Sequence, residues 1–142
     1  MIGENIPHQD ITYKIIGAAM KVHNSTPRGL KEIHYQRALS IQMEQDGLCN
    51  QEEHHVQVYD GDICLGNLYL DHFINGCVVV EDKAFAHPLG DTELAQVITY
   101  LAATKAKVGL LINFGRRRLE YKRILPPKTL DGWQEKIQPY LL

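Results

Sequence analysis

Cys77-Val78-Val79-Val80-Glu81-Asp82-Lys83 is an apolar, β-branched run that ends in three charged residues. Its first four residues read as a buried strand. Side chains two apart on a strand leave from the same face, so Glu81 and Lys83 share a side. A buried charge is costly unless it is paired or holds an ion. Ten residues before Glu81, Asp71 closes a second apolar run, Leu68-Tyr69-Leu70. Two carboxylates and an amine on neighbouring strands form a small metal site with a positive charge beside it, which points to phosphodiester chemistry. Glu-Asp-Lys is also ordinary polar punctuation where a strand meets solvent, and the rest of the chain has to decide between the two.

The hairpin between these runs is one arbiter. A two-residue loop at Asn75-Gly76 pairs Ile74 with Cys77, sets Asp71 opposite Val80, and sends Asp71 and Glu81 to different faces. A three-residue loop, Ile74-Asn75-Gly76, with Gly76 left-handed, pairs Phe73 with Cys77 and Asp71 with Val79. Asp71, Glu81 and Lys83 then share a face. A shared metal therefore demands the longer loop or a bulge.

Working outward, Asp10 or Thr12 is placed to cap a first helix through Tyr13, Ile16, Ala19, Met20 and His23. Asn24 to Gly29 is a loop. A second helix follows, with Ile33, Ala38, Leu39, Ile41 and Met43 as its expected buried face and Gly47 as its stop. From His54 the period changes to two, and Asp60-Gly61 marks a hairpin into a strand from Ile63 to Phe73. Asp91 or Thr92 should cap a third helix with the stripe Leu94, Val97, Ile98 and Leu101. Val108 to Phe114 reads as a strand buried on both faces, Leu119 to Leu125 as an edge strand, and Leu130 to Pro139 as a last helix. The order is roughly ααβββαβ with additions: an α/β fold in which one mixed sheet carries helices on its faces.

At 142 residues and 44% hydrophobic content the chain suits a single domain, 1–142, with a core at about 11–124 and a helical extension at about 128–142. No apolar run approaches the ~20 residues that cross a bilayer, and the start, Met-Ile-Gly-Glu-Asn, lacks the features of a signal peptide. Cys49, Cys64 and Cys77 have no CxxC spacing and read as reduced thiols, so the expected location is cytoplasmic, with no membrane partner. Net charge is −2, yet Lys105, Lys107, Arg116, Arg117, Arg118, Lys122 and Arg123 crowd into one stretch. Such a patch can meet nucleic-acid phosphates, with Arg116, Arg117, Arg118 and Lys122 the expected contacts, or can be a solvated face. Adjacent His54 and His55 face opposite ways on a strand, and His34, His72 and His87 lack HxxxH or HExxH spacing, which argues against zinc. Carboxylate-only ligands favour Mg2+ or Mn2+.

Two helices add side chains of the right type. Gly29-x-x-Glu32-x-x-Tyr35 aligns three residues roughly along one side of a helix, and Gln96 and Tyr100 share a face at i, i+4. Together, Gly29-x-x-Glu32-x-x-Tyr35 with Ala38-Leu39, then Asp71, Glu81-x-Lys83, Gln96-x-x-x-Tyr100-Leu101 and Gly109-Leu-Leu-Ile-Asn-Phe-Gly115 resemble the GxxExxY family of the PD-(D/E)XK nuclease superfamily. The resemblance runs from about Ile11 to Ile124. It implies a restriction-endonuclease-like core, with Asp71 and Glu81 as ligands of a divalent cation and Lys83 completing the catalytic set. It further implies Glu32 as an added helix-borne ligand, and Gln96 and Tyr100 as residues lining the site. Leu70 stands where the superfamily name expects proline.

Three readings follow. The first is a divalent-metal-dependent phosphodiesterase or nuclease acting on DNA ahead of RNA. The second is an idle nuclease-like fold that binds nucleic acid or protein. The third is a small-molecule phosphoesterase using the same site. Because no large DNA-clamping insertion is present, a homodimer is the expected source of further binding surface.

Overall fold

The computed structural model describes residues 6–126. The helix expected at Leu130 to Pro139 and the extension at 128–142 lie outside them. Eight elements follow in the order α1 (Gln9–Ser25), α2 (Glu32–Gln45), β1 (Asn50–Asp60), β2 (Ile63–Ile74), β3 (Val78–Lys83), α3 (Asp91–Thr104), β4 (Val108–Asn113) and β5 (Glu120–Ile124). The strands form one mixed sheet in the order β1-β2-β3-β4-β5, with β3 and β4 parallel and every other pair antiparallel. The α/β expectation of a mixed sheet flanked by helices is met.

The core has two layers. Ile15, Ala19 and Val22 of α1 and Leu39 and Met43 of α2 pack with Val78, Val80, Leu110 and Ile112 on one face of the sheet. On the other face, Val97, Tyr100 and Leu101 of α3 pack with Val79, Leu111 and Ile124. β4 is buried along its whole length, as an all-apolar central strand requires. Gly109 makes this possible, because a Cβ there would stand 2.7 Å from Val97 Cγ1 on α3.

Several local expectations are corrected. The cap of α1 is His8, in a left-handed conformation, and Thr12 lies inside the helix with its hydroxyl donating to the Gln9 carbonyl at 3.1 Å. Gly90, rather than Asp91 or Thr92, caps α3, and its N–H donates to the Glu93 carboxylate at 2.8 Å. Ile33 and Ile41 are half exposed. Each sits two residues, about 200° around a helix, from Tyr35, Leu39 and Met43, which take the buried face. Tyr13 and Met20 of α1 are exposed for a similar reason, seven residues apart on a flank outside the buried stripe. β1 begins at Asn50, four residues before the alternation was expected. Cys49, Cys64 and Cys77 are all free thiols. Among the described residues, no helix is long and apolar enough to cross a membrane.

Candidate active site at the carboxyl ends of β3 and β4

The β2–β3 connection combines both sequence-derived alternatives. Asn75 and Gly76 take left-handed backbone (φ 52° and 67°), and the Cys77 N–H closes onto the Ile74 carbonyl at 3.0 Å, as in a two-residue turn. The ladder then passes over Cys77 and pairs Ile74 with Val78, Phe73 with Val79 and His72 with Val80. The loop therefore has three residues, Asn75-Gly76-Cys77, one position later than expected. One step further along this register, Asp71 lies across from Glu81.

Asp71 is also where β2 changes sides. Leu68, Leu70 and Phe73 belong to the α3-side cluster, whereas Ile74 belongs to the α1–α2 side and His72 contacts Ser40 of α2. On β1, Glu53 has left-handed backbone (φ 56°), and the pairing runs on both sides of it without joining Glu53 to Asp71. With regular pairing interrupted, side chains take over. The Asp71 N–H donates to Glu81 Oε1 at 2.9 Å, and the Asp82 N–H donates to Asp71 Oδ2 at 2.7 Å. Each carboxylate thus has one oxygen fixed by backbone, which leaves Oδ1 of Asp71 and Oε2 of Glu81 for another partner.

Lys83 ends β3 on the same face as Glu81. Its ammonium donates to Gln96 Oε1 at 2.9 Å, and the Gln96 amide donates to the Tyr100 hydroxyl at 2.8 Å. The i, i+4 pair on α3 is thereby explained: one side chain holds the lysine and the other holds the first. Since the Tyr100 oxygen accepts from Gln96, its own proton remains available to an acceptor in the site. Glu32 opens α2, with Gly29 (φ 81°) turning the chain just before it. Tyr35 has a structural task. Its ring stacks on Phe114 at 5.3 Å, and its hydroxyl donates to the Pro27 carbonyl at 2.9 Å.

The charges register one another. Burial, then the Asp82 carboxylate, pushes Asp71 up to about 7. Burial and then Asp71 hold Glu81 well above the ordinary carboxylate range. Burial raises Glu32, with Lys83 opposing and Asp82 adding to the rise. Tyr100 is raised by burial and by the Glu81 charge. Asp71, Glu81, Glu32, Lys83, Gln96 and Tyr100 thus form one neighbourhood. Among the described residues, however, no three His, Cys, Asp or Glu side chains are drawn into a ready metal cage. Asp71 and Glu81 with free oxygens nevertheless match Mg2+, which typically binds through one or two carboxylates, several waters and substrate phosphates. The donor set fits a hard divalent cation and offers no sulfur or imidazole.

Sequence reasoning overlooked what lies beneath. His72 and Asp82 are fully buried and joined by a hydrogen bond from His72 Nε2 to Asp82 Oδ2. His72 Nδ1 reaches Asn50 Oδ1 at 3.1 Å and Ser40 Oγ at 3.3 Å. Burial disfavours the imidazolium, but the Asp82 charge and hydrogen bond prevail and raise the His72 pKa. Asp82 Oδ1 is buried without a hydrogen-bond partner among the described residues. The available signal was polar residues at even positions, 72 and 82, inside apolar strands. Asn113 was overlooked as well. It is fully buried; its Oδ1 accepts from the N–H groups of Phe85 and Gly115, and its amide donates to the His87 carbonyl, strapping down the loop after Lys83.

The basic stretch divides in two. β4 runs parallel to β3, with Val108 beside Val78 and Asn113 beside Lys83, so Lys105 and Lys107 sit at the end of the sheet away from the site. Arg116, Arg117 and Arg118 follow β4 at the site end, where Arg116 pairs with Glu120 at 3.7 Å. Lys122 lies on β5 across from Leu111, two residues from the site end, and Arg123 turns to Thr12 on α1.

Residues 9–124 match the family model of the PD-(D/E)XK nuclease superfamily, and the chain belongs to that superfamily. Members of that superfamily generally use divalent metals. No curated protein matches the sequence significantly. Among solved structures, the crystal structure of SSO0001 is similar over 92% of this chain and 82% of its own, at 13% identity and a TM-score of 0.50, a likeness of fold. An alkaline exonuclease (LHK-Exo) from Laribacter hongkongensis is matched over 92% of this chain and 74% of its own, at 12% identity and a TM-score of 0.47.

Proposed function

We propose that this PD-(D/E)XK superfamily chain, of the GxxExxY type, is a nuclease that hydrolyses phosphodiesters with Mg2+ or Mn2+, with DNA ahead of RNA as substrate. The observation that carries the reading is the Lys83–Gln96–Tyr100 chain laid beside Asp71 and Glu81. An ammonium fixed by an amide, which is fixed in turn by a phenol, is pre-oriented toward a carboxylate pair that repels its own charge. A divalent cation held by Asp71 and Glu81 would neutralise a non-bridging phosphate oxygen and lower the pKa of bound water. Lys83 supplies positive charge where the leaving oxyanion develops. Gln96 acts through Lys83 and is a positioning residue. The Tyr100 hydroxyl can donate to a phosphate oxygen, and Glu32 adds negative charge that favours cation uptake.

The test is digestion of linear, circular and single-stranded DNA and of RNA in Mn2+, with Lys83→Met alongside. Mn2+-dependent cutting that Lys83→Met abolishes supports the nuclease. A parent that binds Mn2+ and DNA yet cuts none of the four favours the idle binding module. Cutting of phosphodiester dinucleotides alone favours the small-molecule phosphoesterase.

A further inference from the structure

At the same end of the sheet as the acidic site lies a cleft of about 680 Å3, formed where the end of α1 and the turn into α2 meet the loop between β4 and β5. Its lining carries Arg28, Arg117, Arg118 and His23 together with apolar Met20 and Leu119, and among the described residues no carboxylate lines it. In a chain of net charge −2 this is a concentrated positive field. The basic walls are braced against each other. The Arg28 guanidinium donates to the Arg117 carbonyl at 3.2 Å, and His23 Nε2 donates to the Arg116 carbonyl at 2.8 Å. These bonds tie the end of α1 and the turn after it to the β4–β5 loop while using main-chain acceptors, so they leave the guanidinium charge unneutralised. Among the described residues, the arginine of the run that has an acidic partner is Arg116, and it is absent from the lining.

A short path of contacts links the cleft to the reacting end of the sheet. Pro27, in the cleft wall, is held by the Tyr35 hydroxyl, and the Tyr35 ring stacks on Phe114. The Phe114 N–H in turn donates to the Lys83 carbonyl at 2.8 Å. Arg28 itself stands four residues before Glu32. The acids and the arginines thus lie at the same end of the sheet, the end a bound strand would have to cover.

We infer that the Arg28–Arg117–Arg118 cleft is a phosphate-binding subsite, which seats a nucleotide phosphate next to the one being cut. Guanidinium forks suit phosphate oxygens, and Met20 and Leu119 give the sugar an apolar bed. The inference rests on the nuclease reading for its choice of ligand, but its test needs no catalysis. A fluorescent single-stranded oligonucleotide is titrated by anisotropy with the full chain in EDTA, at several salt concentrations. Arg117→Ala/Arg118→Ala should flatten the log–log salt slope by about 0.7, for the one phosphate the cleft seats, and weaken binding about 5-fold at 0.1 M salt. Arg117→Lys/Arg118→Lys should keep most of the slope. Lys105→Ala/Lys107→Ala, at the far end of the sheet, should leave affinity as in the parent. Oligonucleotides ending in hydroxyl, 5′-phosphate or 3′-phosphate separate the sources. A parental preference for one phosphorylated end that the alanine pair lacks assigns a terminal phosphate to the cleft. Equal loss on all three assigns an internal phosphate.

Parental affinity and slope in a folded alanine pair overturn the inference, as does an equal loss in the Lys105 and Lys107 control or a parent with no salt-dependent binding. A parent that binds through these arginines but cuts nothing sinks the nuclease reading and leaves the subsite standing.

Discussion

Replacing Asp71 with asparagine should stabilise the metal-free protein at neutral pH and destroy its response to metal. The Asp71 carboxyl titrates near 7 in the folded chain, against an ordinary 3.8. Between those values the folded state keeps a proton that the unfolded state has lost, so stability falls as pH rises through this window. A gap of about three pH units at 1.36 kcal/mol each is worth on the order of 4 kcal/mol by pH 7.5. Glu81 shares the same repulsion, so about 2–4 kcal/mol is the portion to assign to Asp71 alone. Asparagine retains an oxygen for the Asp82 N–H, so the hairpin contact survives while the charge goes. At about 3 °C per kcal/mol for a domain of this size, Asp71→Asn should melt roughly 6–12 °C above the parent at pH 7.5 in EDTA, and level with it near pH 4. Mg2+ or Mn2+ reverses the order. A hundredfold excess over Kd adds about 2.7 kcal/mol to the parent, and the variant gains little. Scanning calorimetry across pH, with and without metal, reads both halves. An EDTA-treated parent whose lead or deficit relative to Asp71→Asn does not change between pH 4 and 7.5 would refute the reasoning.

Three further outcomes are expected. Lys83→Met should retain metal and DNA binding while turnover drops by roughly two to four orders of magnitude, read by single-turnover cleavage; equal cutting by parent and variant would expose a contaminant. His72→Ala should cost about 3–5 kcal/mol in urea unfolding, because the fully buried Asp82 carboxylate loses its partner, and His72→Met/Asp82→Leu should recover most of that. Gly115→Ala should cost about 1–3 kcal/mol, since its Cβ would lie 2.5 Å from the backbone of Ala84 and Phe85, where no flexible side chain can give way; unchanged stability would mean that the loop after Lys83 moves freely.

The elements read well from sequence because their signals are local. The apolar run 108–112 has the length of a central strand, and Asn75-Gly76 has the residue types that left-handed turns need. The α3 spacing of Gln96 and Tyr100 put both on one face through helix geometry, while a place for that face near Lys83 came only from the resemblance; Gln96 meets Lys83 and Tyr100 meets Gln96. Failures came where a choice depended on partners far away in the chain. On α2, apolar Ile33 and Ile41 lost the buried side to a face that also carries buried Gln36 and Ser40. Ser40 is buried because His72, thirty-two residues later, is there to meet it. Nor does a basic run reveal its own division. Lys105 and Arg117 are near neighbours in sequence, yet a parallel strand carries them to opposite ends of the sheet.

The switch of faces at Asp71 is the least legible feature, and the site depends on it. With strict alternation, Leu70 and His72 would leave β2 on the same side, and either an aliphatic side chain would enter the polar network or the histidine would enter the α3 core. The break separates them. It also removes Asp71 from the ladder, which frees its N–H for Glu81 and brings the Asp82 N–H onto Asp71. Those two bonds orient the carboxylates that would hold the cation of the proposed site, while Asp82 turns its own carboxylate down to the raised-pKa His72. β3 therefore carries acid on both faces: one toward α3 in the proposed site, the other toward α2, hydrogen-bonded to a buried histidine. A regular hairpin could offer the same residues, but its backbone donors would be spent on the sheet, and the acids would repel one another without anything to aim them.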